Sequence, residues 1–351
     1  MRTIKTFGHT PGLRRSYAVC GVLWIIAFLS SLLIGSSDIS PWLIIQAALG
    51  PLTAIPTPAA SGMDDIAVTI FWDVRLPRTL LVALVGGALA ASGVLTQGLF
   101  RNPLASPSLL SMEAGASLAG TATLFYAPPI SQWYTLPVIS CLGAWLTTTL
   151  MLFAAGKTRG KSHLLLTGVA LSAFFSAVTS FLLSFHAHDF QQTSMVMRWL
   201  LGGFGGRGLE HLSMILVPLM AGILIVRPFL PALDVMVLGE STASTLGISL
   251  ARLRWAVVLV VGLWLGGAVA VAGSIPFVGL VVPHMGRKIF GPTTHVLLGG
   301  CFLLGMTLTL VADTFGRVVL APHEVEVGIM MALVGSPIFV WILYQSSSSD
   351  S

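Results

Sequence analysis

Two acidic residues fall inside long apolar runs: Glu113 within 108–127, and Asp313 at the end of 295–312. A carboxylate at membrane depth is costly and points to function unless something local satisfies it. Glu113 stands near the start of its run, where a helix N-terminus would stabilise the charge. Asp313 has Arg317 four residues on, the spacing of an ion pair along one helix face. Both therefore read first as structural groups. His186 and His188 flank Ala187 and could meet a metal, although a solvated loop is the simpler reading. His284 follows Pro283 near a helix end and reads as a packing residue. Several chemistries have no support. There is no Gly-x-x-x-x-Gly-Lys-Ser/Thr loop for nucleotide, no His-Glu-x-x-His and no Cys-x-x-Cys. Cys20, Cys141 and Cys301 sit in separate apolar runs and read as small buried residues. No metal site and no cofactor of the chain's own is expected.

The elements that must hold these residues are helices in lipid. The chain is 55% apolar and 9% charged, against about 25% charged in a soluble domain. Apolar runs fall at 17–36, 76–99, 108–127, 134–155, 163–185, 212–230, 254–273, 276–290, 295–312 and 327–344. At roughly 20 residues per span, these give about ten transmembrane helices in an all-α polytopic protein. The third, eighth and ninth runs are short or rich in Gly and Pro, as are broken helices that line cavities. Arg14-Arg15 before the apolar run Tyr17–Ile34 looks like a secretory signal, but no cleavage site is clear, so it reads as an uncleaved first span. With the N-terminus inside, thirteen of the eighteen Lys and Arg residues fall on cytoplasmic segments and five outside. That bias places both termini in the cytoplasm. The net charge of +5 is then a membrane-topology signal, and no nucleic-acid partner is expected. The whole chain, 1–351, reads as one membrane domain. Its parts are a cytoplasmic N-terminus at 1–16, an irregular periplasmic loop at 37–74, a cytoplasmic segment at 231–253 and a disordered tail at 345–351.

Several strings recur in order. Gly86-Gly87-Ala88 and its neighbours to Gly93 parallel Gly266-Gly267-Ala268 to Gly273, with opposite directions in this topology, as in an inverted repeat. Arg75-Leu76-Pro77-Arg78 opens the second run. Gln97 leads to Arg101-Asn102-Pro103-Leu104-Ala105-Ser106-Pro107. Leu238-Gly239-Glu240-x-x-Ala243-x-x-Leu246-Gly247 lies in the long inner segment. Ala312-Asp313-x-x-x-Arg317 precedes Pro322-x-Glu324-x-Glu326-Val327-Gly328. Over residues 70–344 these strings resemble the permease family of type II ABC importers for ferric siderophores, haem and vitamin B12.

The resemblance implies ten helices, with helices 2–5 and 7–10 related by inversion. It implies a bacterial inner-membrane location and a second permease subunit, identical or related. Two cytoplasmic ATPase subunits carrying ATP-Mg and a periplasmic substrate-binding protein complete the assembly. It assigns Arg75, Arg78 and Arg317 to docking of the binding protein, where guanidinium would meet carboxylate. It assigns Gly239, Glu240, Ala243, Leu246 and Gly247 to coupling with the ATPase. There, Ala243 and Leu246 at i, i+3 would offer a small apolar face. The pathway is expected along the second and fifth helices and 191–206, with Gln97, Asn102, Met195, Met197 and Arg198 as contacts. A ferric siderophore is the first cargo reading. Haem, for which Met195, Met197 and Arg198 would be apt, and vitamin B12 are alternatives. Three positions depart from the family pattern: Ser106 for Asp, Ser111 for Gly and Glu326 for Pro. A transporter driven by an ion gradient is the reading from a different class, and it would need more polar groups at mid-membrane than the runs supply.

Overall fold

The computed structural model describes residues 11–35, 40–53, 62–128, 131–154 and 161–348. These residues are helical apart from short links, and every one of the ten apolar runs lies on a helix. The helices are α1 (Pro11–Leu33), α2 (Pro41–Thr53), α3 (Gly62–Thr69), α4 (Leu76–Phe100), α5 (Met112–Tyr126), α6 (Gln132–Ala154), α7 (Lys161–Phe185) and α8 (Phe190–Leu200). They continue as α9 (Leu212–Val226), α10 (Leu230–Met236), α11 (Glu240–Thr245), α12 (Leu250–Ala272), α13 (Val278–Phe290), α14 (Thr294–Val318) and α15 (Val327–Ser348). Among the described residues, seven helices are long and apolar enough to span a bilayer, and Val327–Ile342 adds a shorter apolar stretch. The protein is a multi-pass membrane protein.

Four boundaries differ from the sequence reading. The first helix starts at Pro11, inside the expected cytoplasmic segment 1–16, because proline is well suited to a first helical turn. The expected irregular loop 37–74 is helical over α2 and α3. Pro41 opens α2 for the same reason, while Pro56 and Pro58 lie outside the described residues. The ninth run is not short, since α14 reaches Val318 and carries Arg317. The tail expected to be disordered from 345 continues α15 to Ser348, the apolar helix carrying its last polar turn with it; residues beyond 348 lie outside the description.

The core is built on α4 and α12, whose side chains are buried along nearly their whole length. They touch each other, and their neighbours correspond. Helix α4 packs on α13 and α14, and α12 packs on α5 and α6. The series α4–α5–α6–α7 thus answers to α12–α13–α14–α15, which is the repeat of helices 2–5 and 7–10. Helices α5 and α13, the two short ones, each follow a non-helical link that ends in a left-handed residue, Ser111 (φ 60°) and Phe277 (φ 66°). Ser111 therefore stands where a family glycine would be less strained. Ser106, in place of Asp, still caps the link, its Oγ accepting from Leu109 N at 3.3 Å. Such links are tolerated at membrane depth when they are buried in protein or line a cavity.

Candidate functional site

A π-helical stretch, Ile70–Arg75, joins α3 to α4. Pro77 has no N–H to offer the Asp73 carbonyl, and the chain widens its turn just before it. That turn places Arg75 and Arg78 against the ends of α1 and α14. Arg78 donates to Asp313 Oδ1 from Nε (3.1 Å) and Nη2 (2.9 Å), and to Glu324 Oε2 from Nη1 (2.6 Å). Arg317 Nε lies 3.0 Å from Asp313 Oδ2 as an ion pair. Its Nη atoms donate to Ile34 O (2.8 Å), Ser31 O (3.0 Å) and Ser31 Oγ (2.9 Å). Arg75 Nη1 donates to the Leu32 and Leu33 carbonyls at 2.9 and 2.8 Å. These carbonyls belong to the last turn of α1, where helix groups lack partners of their own. All three arginines are buried, at 4%, 8% and 3% exposure. They form an internal knot tying α1, α4 and α14 together. The carboxylate that pairs Arg78 and Arg317 comes from this chain, and the i, i+4 spacing of Asp313 and Arg317 pointed to the second of those pairs.

Beside the knot, the Glu326 side chain lies over Gly203, just past α8. Burial pushes its carboxyl above the usual carboxylate range. Arg78 and Arg198 oppose the shift, and Glu324 and Asp313 add to it. A raised folded pKa stabilises the fold below the ordinary carboxylate pKa, and that contribution is lost as pH rises through the raised value. The Glu326 contribution should therefore fall as pH rises above the ordinary carboxylate range, and Glu326→Gln should remove that fall when thermal unfolding is followed in detergent. Identical slopes in both proteins would contradict this assignment.

At the far end of α4, about 35 Å away at ~1.5 Å per residue, a second constellation forms. A 3-10 turn (Arg227–Phe229) follows α9, and then α10 and α11 make two short helices. They are separated by Gly239 at φ 118°, a conformation that glycine alone adopts readily. Glu240 accepts from Arg254 Nη2 at 3.0 and 3.1 Å and from Arg101 Nη2 at 3.5 Å. Asp234 Oδ1 accepts from Thr294 N at 2.6 Å, capping α14. The segment is thus braced to α4, α12 and α14. Ala243 is fully buried, whereas Leu246 is 64% exposed and Val237 and Leu238 are exposed beside it in sequence. The expected Ala243–Leu246 face is corrected: Ala243 packs inward, and the apolar residues presented outward are Val237, Leu238 and Leu246. Gly247, at φ 81°, ends the segment.

The expected pathway residues scatter. Gln97 is buried and serves as a brace, its Oε1 accepting from Arg287 Nη2 (2.5 Å) and its Nε2 facing Leu280 O (3.4 Å). Asn102 Oδ1 accepts from Leu104 N at 3.0 Å and shapes the link. Met195, Met197 and Arg198 are exposed on α8, while Val196 and Trp199 pack inward. His186 stacks on Phe125, 4.1 Å between ring centres, with Nδ1 2.9 Å from Leu182 O.

What the sequence reading missed is a cleft of about 420 Å³ between α5, α7 and the link from α12 to α13. Helix α7 contributes Ser172, Ser176, Thr179 and Ser180. Their spacing of four, three and one puts them on one face of a mostly apolar helix, a signal that was present in the sequence. Glu113, 6% exposed, lines the cleft from the first turn of α5, and Ser274 Oγ donates to its Oε1 at 2.5 Å. Among the described residues, Ser274 is its one hydrogen-bond partner.

Two braced ends, paired four-helix halves and a polar cleft between them describe a transport subunit, and comparison with known proteins agrees. Residues 23–345 match the FecCD transport family. The vitamin B12 import system permease protein BtuC of Salmonella typhi is 38% identical over 278 residues, 79% of this chain and 84% of that protein. Its counterpart in Pectobacterium atrosepticum is 38% identical over 307 residues, 87% and 90% of the two chains. A metal-chelate type ABC transporter solved in an inward-facing conformation superposes with a TM-score of 0.76 at 29% identity, covering 95% of this chain and 99% of that one. The chain belongs to the FecCD transport family and is the permease of an ABC importer.

Proposed function

We propose that this chain, in the bacterial inner membrane with both termini cytoplasmic, carries a ferric siderophore from periplasm to cytoplasm. It would do so with a second permease subunit, two ATPases holding ATP-Mg and a periplasmic binding protein. The observation that carries the reading is the braced pair α10–α11, which presents Leu238 and Leu246 outward while Glu240 ties it to Arg101 and Arg254. Force applied to that segment reaches α4 and α12 through ion pairs rather than a slack loop. At the other end, docking falls on the rim held by Arg75, Arg78 and Arg317. A partner glutamate there would compete with Glu324, the more exposed acid on Arg78. Leu246→Asp should abolish co-purification of the ATPase and ATP-dependent uptake while leaving thermal stability within about 0.5 kcal/mol, as for an exposed site. Full co-purification of that variant would remove the coupling role.

A cobalt corrinoid is a second cargo, favoured by the B12 permeases among the relatives. Direct binding of both chelates to the partner periplasmic protein distinguishes the two.

A further inference from the structure

The cleft's chemistry narrows the cargo, on the reading above that this chain is an importer permease. Three of its seven hydroxyls are committed as donors. Thr179 Oγ1 donates to Phe175 O at 2.9 Å, Ser180 Oγ to Ser176 O at 3.0 Å, and Ser274 to Glu113. Those three leave only lone pairs for a guest. Glu113 adds a carboxylate from the first turn of α5. Among the described residues no Lys or Arg lines the space. Ser117, 8% exposed, lines the same wall, and its Oγ is buried without any hydrogen-bond partner. A buried hydroxyl left unpaired is destabilising, so its presence here fits a group that finds its partner only when a guest is bound.

We propose that this cleft is a cargo contact on the transport path, and that it accepts chelates presenting N–H or O–H donors and bearing no net negative charge. Amide-bearing corrinoids and hydroxamate chelates with a free ammonium fit that description. Tris-catecholate chelates and haem, with its two propionates, do not. The haem reading based on Met195, Met197 and Arg198 is weakened accordingly, since none of the three lines the cleft.

The test uses the assembled permease–ATPase complex in proteoliposomes. Ser176 is exposed in the cleft and the native cysteines are buried, so Ser176→Cys supplies one readable thiol. Its maleimide alkylation is followed with cyanocobalamin, with an ammonium-bearing ferric trihydroxamate and with a trianionic ferric tris-catecholate. The first two should slow alkylation, and the tris-catecholate should not. Adding Glu113→Gln should improve protection by the tris-catecholate at least ~10-fold, as expected when a nearby like charge is removed. Ser117→Ala, which removes an unpaired hydroxyl and should fold normally, should weaken protection by the corrinoid about 5-fold, the worth of one hydrogen bond. Equal protection by the tris-catecholate beside native Glu113 would overturn the proposal. So would protection by none of the three, or a thiol that is unreactive because a second subunit covers it. ATPase association, measured in the same samples, reports separately on the importer reading.

Discussion

Asp313→Ala will destabilise the protein by about 3–5 kcal/mol, the cost of removing one partner from a buried ion pair. Asp313 is the shared acceptor of Arg78 and Arg317, and its side chain is fully buried. Its loss takes the ion-pair partner from Arg317 and leaves Arg78 only the partly exposed Glu324, at the junction of α1, α4 and α14. Glu324→Gln, at a third-exposed side chain, should cost under about 1 kcal/mol, because a partly exposed pair is weak. Thermal unfolding of the purified permease in detergent reads both. The ranking also separates two roles for the arginines. Were Arg78 a free docking charge, Arg78→Ala would leave stability intact and weaken only the binding protein's affinity. The knot predicts a loss of stability first.

Gly93→Ala is the second large effect. A Cβ at Gly93 would land on the backbone of Gly279, with the Gly279 Cα 2.7 Å away and its carbonyl oxygen closer still. Backbone cannot swing aside as a side chain can, so α4 and α13 must separate. Overpacking of this kind costs about 1–3 kcal/mol or more. Gly98→Ala, one turn further along α4, is the control. Its nearest neighbour would be Leu233 Cδ2 at an ordinary 3.8 Å, and the better helix propensity of alanine should make it neutral or stabilising by up to about 1 kcal/mol. Because the contact joins the two halves of the repeat, Gly93→Ala should also slow transport in whatever protein survives.

The fold was largely legible because lipid leaves little choice. Long apolar runs become helices that satisfy their own backbone, and the Gly-Gly-Ala strings marked the two central helices correctly. The inner segment of α10 and α11 was legible only through the family resemblance, since Gly239 and Gly247 bracket α11 alone. Side-chain direction was not. Ala243 and Leu246 share a spacing that suggests one face, yet Leu246 caps the helix and turns outward. Arg75 and Arg78 read as surface charges because their acceptors, the α1 carbonyls and Asp313, are distant in sequence. Only packing brings them together. The α7 hydroxyl stripe was the opposite case: its period was present in the sequence, but four small polar residues in an apolar helix are easily taken for packing.

The ion-gradient alternative fares poorly on the same geometry. Asp313 is locked between two arginines, and Glu113 meets a single serine. Neither begins a relay among the described residues. The most direct measurement of the central claim is uptake into proteoliposomes holding this permease with its ATPase, supplied with loaded binding protein. Accumulation should require internal ATP and the binding protein, and it should persist when the proton gradient is collapsed. Uptake that proceeds without ATP and stops with the gradient would contradict the account.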